Sequence, residues 1–340
     1  MATTNTIGTT GRDYSTLQSW EDAVPATPTG GYIGECYNDS EFTAGVVVDG
    51  HTTSAANFIR LTCASGQSFQ DHANVRTNPL IYDQTKGVGV VASPFGDAVV
   101  RVSDDYVEIL RLQIKRTAIS YVNAVLEFDG GESNSLAKDC IVQKTHNADA
   151  DIVRSRETPC RNVIAIDTGG GTSVGFSAYK AAGASPKLLN CTAVRSSALG
   201  AGGTGFSASA SYAPSIAVNC ASFGWSTDYT ATGWDTTNSG YNASDGTAGP
   251  GGNSQDSLTY ADQFESTTAD FRTKSGCGFI GTGNTDATLA PNDISGTARG
   301  AGTAGDIGAW EFQAAAGGDP EGRLVGGKLL RGGLLRGGVL

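Results

Sequence analysis

Three short stretches decide how this chain folds: AKDCIV at 137–142, LLNCTAV at 188–194 and AVNCASF at 217–223. Each is one brief β-rich segment in which Asp139, Asn190 or Asn219 stands immediately before Cys140, Cys191 or Cys220. The cysteines are separated by 51 and 29 residues, which fit two turns and one turn of a repeat of roughly 25 residues, inside the range of repeat architectures. The repeating unit is a strand rather than a helix.

Similar segments fill the chain between and around them: NFIRLTC, GVGVVAS, AVVRVS, YVEILRLQIK, NAVLEFDGG, RNVIAIDTGGG, SVGFSAY and GTGFSAS. Gly, Asn, Asp or Ser bounds each one. In AVLEFD, Leu126 and Phe128 are expected to face one side, with Val125, Glu127 and Asp129 on the other. Asn-Gly hairpin signals are missing, and no part of 71–238 reads as a long amphipathic helix. Small residues at rung positions, with a Cys or Val above its counterpart, suit a parallel solenoid whose coils bury their inward side chains against one another. Composition agrees: among 340 residues, Gly is very frequent at 47 and charged residues make up only 17%, a mixture that favours short strands and tight turns.

A solenoid must cover its two open ends. In DYSTLQSWEDAV at 13–24, Ser15 is the candidate N-cap, and Leu17, Trp20 and Val24 recur at helical spacing, so a helix is expected to lie across the first coil. The far end is expected to close through the Gly-rich stretch 240–253 and the segments DQFESTTADFRTKSG and NDISGTARGAGTAGDIGAWEF. These ends carry a resemblance. TIGTTGRDYSTLQSWEDAV looks like the opening of pectate-lyase-like right-handed parallel β-helix proteins of phage and bacterial surfaces, and GYNASDGTAGPGGNSQ with ADQFESTTADFRTKSG, DISGTAR and DIGAWEF is similar to the way such chains close. After KSG this chain reads Cys277-Gly278-Phe279-Ile280, where such chains often read Ser-Pro-Ala-Ile. The resemblance implies an all-β fold, a right-handed parallel β-helix with an N-terminal capping helix and an irregular C-terminal cap. It also implies a homotrimer, since phage β-helices are frequently trimeric. It is only a weak guide to function, because one scaffold hosts lyases, hydrolases, adhesins and inert spacers. The expected organisation is a strand and capping helix over 1–25, the β-helix over 26–239, a closing region over 240–313, and a linker with an extended tail over 314–340.

Few residues suggest chemistry. Enzymes of this architecture place carboxylates, alone or with Arg, Lys or calcium, on the outer face of a strand sheet. Glu127 and Asp129 lie two residues apart on one strand face, about 7 Å from strand geometry, a separation that suits an inverting glycosidase. Glu108, Arg111, Gln113 and Lys115 are expected to point outward on the adjoining coil. The alternative is an ordinary solvated outer face, and it is the preferred one. HNADADIVRSR gathers His146, Asp149, Asp151, Arg154 and Arg156 but lacks the Asp/Gly spacing of a calcium loop, so it reads as a polar loop between coils. Trp225, Tyr229, Trp234 and Tyr241 suit either glycan stacking or packing over the last coil, the latter preferred. The seven cysteines show no zinc spacing and read as buried thiols, and no cofactor or metal is expected.

The formal charge of −11 argues against a nucleic-acid partner. No apolar run is long enough for membrane insertion, and no signal peptide precedes MATTNTIGTTGRDYS, so folding in the cytoplasm of a host is expected. The tail EGRLVGGKLLRGGLLRGGVL at 321–340 is basic and apolar, with Gly-Gly pairs that fit neither helix nor uniform strand. A frayed terminus is one reading. The other is an assembly segment in which Leu324, Leu329, Leu330, Arg331, Leu334, Leu335, Arg336 and Leu340 contact another chain. The function expected from all this is a non-enzymatic structural protein of a bacteriophage virion, held to other virion proteins by that tail. A tailspike-like protein that binds or cuts a host surface glycan is the alternative.

Overall fold

In the computed structural model, the Asp or Asn before each cysteine is the corner of a coil. Asp139, Asn190 and Asn219 have φ of 56°, 51° and 55°, in the left-handed region that Asn and Asp tolerate better than other side-chain-bearing residues. The 51-residue interval hides one more corner, Asn162 with φ 50°, and Arg111 with φ 60° makes the corner one coil earlier. Val163 and Leu112 follow these where Cys follows the others. The structure describes residues 1–72, 75–92, 98–118, 124–129, 134–179, 185–209, 214–284, 291–299 and 304–313; the tail positions named above lie outside them.

Each coil crosses three parallel sheets. Among the described residues, sheet A has eight strands, from Thr3–Ile7 to Ile216–Val218, sheet B seven, from Gly89–Ala92 to Ala243–Ser244, and sheet C seven, from Val46–Val48 to Thr227–Tyr229. The corner lies between sheets A and B. One full coil, for example, runs through Leu136–Lys138, Ile141–Lys144 and Asp151–Arg156. The architecture is that of a right-handed parallel β-helix, the hand that right-twisted strands joined in parallel adopt.

In-register pairing turns the coil into columns of like side chains. Leu112, Cys140, Val163, Cys191 and Cys220 form one, fully buried, just inside the corner. Cys is apt there because it is small and a weak donor: Cys140 Sγ donates to the Lys138 carbonyl at 3.3 Å and Cys220 Sγ to that of Leu188 at 3.2 Å. All seven cysteines are free and buried. In sheet C, Leu126, Val153, Phe176, Phe206 and Tyr229 align. Ring centroids there are 4.9 Å apart for Phe176–Phe206 and 5.0 Å for Phe206–Tyr229, nearly parallel; strand spacing sets that distance, and each ring pair adds about 0.5–1.5 kcal/mol beyond burial.

A third column is charged. Arg116, Lys144, Asp167 and Arg195 follow one another at the ends of sheet B strands and are buried. Lys144 Nζ lies 3.3 Å from Asp167 Oδ1, and Arg195 reaches the other oxygen at 2.5 Å. Lys144 Nζ also donates to the main-chain carbonyls of His146 and Ala148 at 2.9 and 3.2 Å and to that of Gly170.

At the N-terminal end the expected helix forms, over Leu17–Glu21, with Leu17 and Trp20 buried. Its N-cap is Thr16 rather than Ser15. Thr16 is extended, accepts from the Ser19 N–H and is answered by the Ser19 hydroxyl, so the capping box places the start one residue later. The C-terminal end departs from expectation more. Residues 240–255 do continue the coil, Ala243–Ser244 pairing with Ala221–Phe223. The described residues of the rest, 264–284, 291–299 and 304–313, turn back as a strap over the outer face of sheet B. Ile141, Ile164, Val194, Ala221 and Phe223 are buried there beneath a second core with Phe264, Phe279, Ile294, Ile307 and Trp310. The physical reason is that these sheet B strands are apolar on both faces, as strands covered on both sides are.

Candidate functional site

The candidate carboxylates Glu127 and Asp129 lie on sheet C, where the columns alternate in charge. Arg101, Glu127 and Arg154 are successive in-register neighbours. Arg154 donates to Glu127 Oε1 at 2.8 Å and through Nε to Asp151 Oδ2 at 2.8 Å. Asp129 is held by Arg101 and, at 3.3 Å, by Arg156, which also faces the Tyr179 ring at 5.0 Å. Three guanidinium groups thus balance Glu127, Asp129 and Asp151.

Chemically this is a lattice, and its two carboxylates are unlike. Glu127 is 2% exposed, and its Oε2 is buried with no hydrogen-bond partner. Burial pushes its carboxyl above the ordinary range, opposed by Arg154. Asp129 is only partly buried. A general acid needs its proton at the substrate and a general base needs a free lone pair; Glu127 has the raised affinity for a proton but is enclosed, while Asp129 is engaged by two arginines. Val125, expected on the outer face beside them, is instead fully buried in the main core.

The other sequence candidates disperse. Glu108 sits on sheet A in a pair with Arg60 at 2.5 Å, Arg111 is a corner, and Gln113 and Lys115 belong to sheet B; none joins Glu127. The segment expected as a polar loop is largely strand, Asp151–Arg156. His146 is buried, its Nδ1 accepting from the Ala148 N–H at 3.3 Å, and burial followed by Lys144 and Arg116 lowers its pKa to about 4. Tyr229 and Trp234 come together at 6.2 Å, edge to face, and Trp225 stays apart beneath Arg195. All three are buried, and Tyr229 ends the aromatic column. Tyr229, Trp234 and Pro250 nevertheless floor an open cavity of about 440 Å³ whose walls include Thr227, Thr232 and Thr247.

Two titratable pairs escaped the sequence reading because their members meet only across coils. Asp228, 2% exposed, accepts from the Ser222 hydroxyl at 3.0 Å, and Asp245 accepts from the Gly224 N–H at 3.0 Å. The two carboxyls also hydrogen-bond to each other; burial and Asp245 push Asp228 up to about 7. At the other end, His51 Nε2 lies 2.8 Å from Glu21 Oε1. Among the described residues, no three His, Cys, Asp or Glu side chains converge in a metal-binding group.

No protein-family model and no curated protein matches the chain. Among solved structures it is similar to pectate lyase Pel9A, with 13% identity, coverage of 92% of this chain and 98% of that one, and a TM-score of 0.40. It is also similar to a pectin methylesterase from Aspergillus niger, with 12% identity, 70% and 88% coverage, and a TM-score of 0.33. The class rests on the chain's own coils: three parallel sheets, one-residue left-handed corners and stacked columns make it a right-handed parallel β-helix.

Proposed function

We propose that this chain is a non-enzymatic structural protein of a bacteriophage particle, a surface-displayed β-helix, head-decorating or tail-associated, joined as a homotrimer to other virion proteins through its C-terminal tail. The observation that carries the non-enzymatic part is the enclosure of Glu127 against Arg154, with Asp129 spent on Arg101 and Arg156. The likeness of both chain ends to phage surface β-helices supports display on a particle. Incubated with host capsule or lipopolysaccharide, the protein should release neither reducing ends nor unsaturated sugars, and Glu127→Gln should change nothing. Sugar release abolished by that substitution overturns the reading. Labelled antibody should decorate intact particles, and its failure to do so overturns the assignment to the virion.

One observation favours a second reading, binding of a host surface glycan. The cavity over Tyr229 and Trp234 is lined by threonines and no charged side chain, a surface that suits an uncharged sugar. Binding of neutral capsule oligosaccharides, weakened by Thr232→Val and Thr247→Val together, would support it; equal binding by the double variant would exclude this cavity.

A further inference from the structure

Sheet C stops one rung short of its neighbours. Among the described residues its last strand is Thr227–Tyr229, whereas sheet B goes on to Ala243–Ser244, and sheet A is carried further by bridges from Val218 to Gly240 and from Gly240 to Gly252. The chain passes from Ser244 to Gly252 through a loop curled back on its own start: Ser244 Oγ donates to the Thr247 carbonyl at 2.7 Å and Asn242 Nδ2 to that of Pro250 at 3.0 Å. The cavity over Tyr229 and Trp234 is therefore a notch where the next strand of sheet C would run, walled by Thr232 and Thr247. A terminal strand offers main-chain groups to whatever lies beside it, and this one is three residues long.

The charge around the notch has one sign. From Ser196 to Phe271 the chain carries seven Asp and Glu and no Lys, Arg or His. No charged side chain lines the notch itself. At its rim, half-exposed Asp235 follows Trp234, and exposed Asp256 stands between Gln255, which pairs with Ala243, and Ser257, whose N–H donates to the Gly246 carbonyl. The tail is the converse. Residues 321–340 hold Arg323, Lys328, Arg331 and Arg336 against Glu321 alone, and between the Gly-Gly pairs at 332–333 and 337–338 lies the three-residue run Leu334-Leu335-Arg336. Run length and rung length agree. Side chains alternate along an extended run, so one leucine meets the aromatic floor while Arg336 reaches the acidic rim, and the flanking glycines let the main chain come close to the threonine walls.

We propose that the notch receives residues 334–336 of a second copy's tail as the missing strand of sheet C. This rests on the reading of the tail as an assembly segment and names the surface it meets: each copy gives its tail to the next, a heterologous contact of the kind that closes rings. Opposite charges draw the two together, and salt weakens them. A seated tail fills the cavity, which leaves no room there for a glycan.

Full-length variants test this. Light scattering should show an oligomer for the wild type that is lost in Thr232→Lys with Thr247→Lys, which block the notch through two exposed side chains, and in Leu335→Asp with Arg336→Glu. Cross-linking adds a measurement that needs no loss of assembly. The native cysteines are buried, so introduced ones oxidise selectively. An equal mixture of Thr247→Cys and Leu334→Cys chains should form the 247–334 disulfide between copies, identified by peptide mapping, whereas Thr9→Cys, exposed at the other end of the solenoid, should not link to Leu334→Cys. A monomeric wild type, or an oligomer untouched by the tail variant, overturns the assembly reading and this one with it. An oligomer that needs the tail but survives the notch variant, without the 247–334 link, overturns this proposal alone. So does a link that forms within one chain carrying both cysteines but not in the mixture, which seats the tail on its own last coil. Neutral capsule oligosaccharide bound as tightly by the assembled wild type as by the tail variant makes the notch a glycan site and also overturns it.

Discussion

Lys144 and Asp167, both fully enclosed, face each other at 3.3 Å across adjacent strands of sheet B. Asp167 is the anion of a column that also holds Arg116 and Arg195, and its Oδ1 accepts from the N–H groups of Gly169 and Gly170 at 3.0 and 3.1 Å. Asp167→Asn keeps an oxygen for those amides but leaves Lys144 and Arg195 without their counter-ion. A buried charge stripped of its partner costs about 3–5 kcal/mol. Lys144→Met, which keeps the Arg195–Asp167 pair, should cost less. Denaturant midpoints compare the two, and a smaller loss in Asp167→Asn would show that the column is held by its carbonyl contacts alone.

Acid should stabilise the C-terminal end. Asp228 binds its proton more tightly in the folded chain, with a pKa raised from 3.8 to about 7 by burial and by Asp245. Between those values the native state holds more protons than the unfolded one, so stability falls as pH rises from about 4 to about 7 and then levels off. Asp306, pushed to about 6 by burial and by Glu311, adds a slope of the same sign. Asp228→Asn should remove the upper part of that slope and raise the melting temperature at pH 8. Parallel melting curves of the two proteins across this range would show that the pair does not share a proton.

What could be read from residue order was whatever the coil repeats. Asn190 and Asn219 mark corners because a left-handed position selects Asn locally, and the cysteine after each reports the column it enters. Tyr229 and Trp234 are expected over the last coil for a different reason, because their stretch immediately precedes the closing segment. The ion pairs were not accessible in this way. Arg154 lies 27 residues from Glu127, and only the exact length of the intervening coil decides whether they meet. The strap over sheet B was missed because apolar residues on both faces of Ile141–Lys144 and Ile164–Asp167 say that something covers them, without saying what.

The aromatic column should behave as one unit. Phe206 lies between Phe176 and Tyr229, stacked on both, so Phe206→Ala opens a void with rings on two sides and should cost about 3–5 kcal/mol. Tyr229→Phe keeps the ring but leaves the Cys220 carbonyl without the hydroxyl that donates to it at 2.8 Å, a loss of about 1–3 kcal/mol. Urea unfolding measures both. Equal losses would mean that stacking adds little here.

Truncation separates the strap from the tail. The strap is fastened along its length: Asn284 N donates to Asn219 Oδ1 at 2.7 Å, Asn162 Nδ2 to the Asn292 carbonyl at 2.8 Å, and Ala309 N to Thr192 Oγ1 at 2.9 Å. Arg76 ties down its end, pairing with Asp293 at 2.9 Å and lying over the Trp310 ring at 3.8 Å. Every one of these fastenings survives in a chain ending at residue 313, which should melt like the full chain while losing trimer formation or particle attachment if the tail is the assembly segment. A chain ending at residue 263 instead bares Ile141, Ile164, Val194 and Phe223 together, an apolar face of the kind that drives association. It should bind a hydrophobic dye and aggregate. Light scattering and dye fluorescence on the two truncations decide the matter: a soluble, dye-silent 1–263 chain would mean that the coils fold without their cover, and a destabilised 1–313 chain would place the tail in the core.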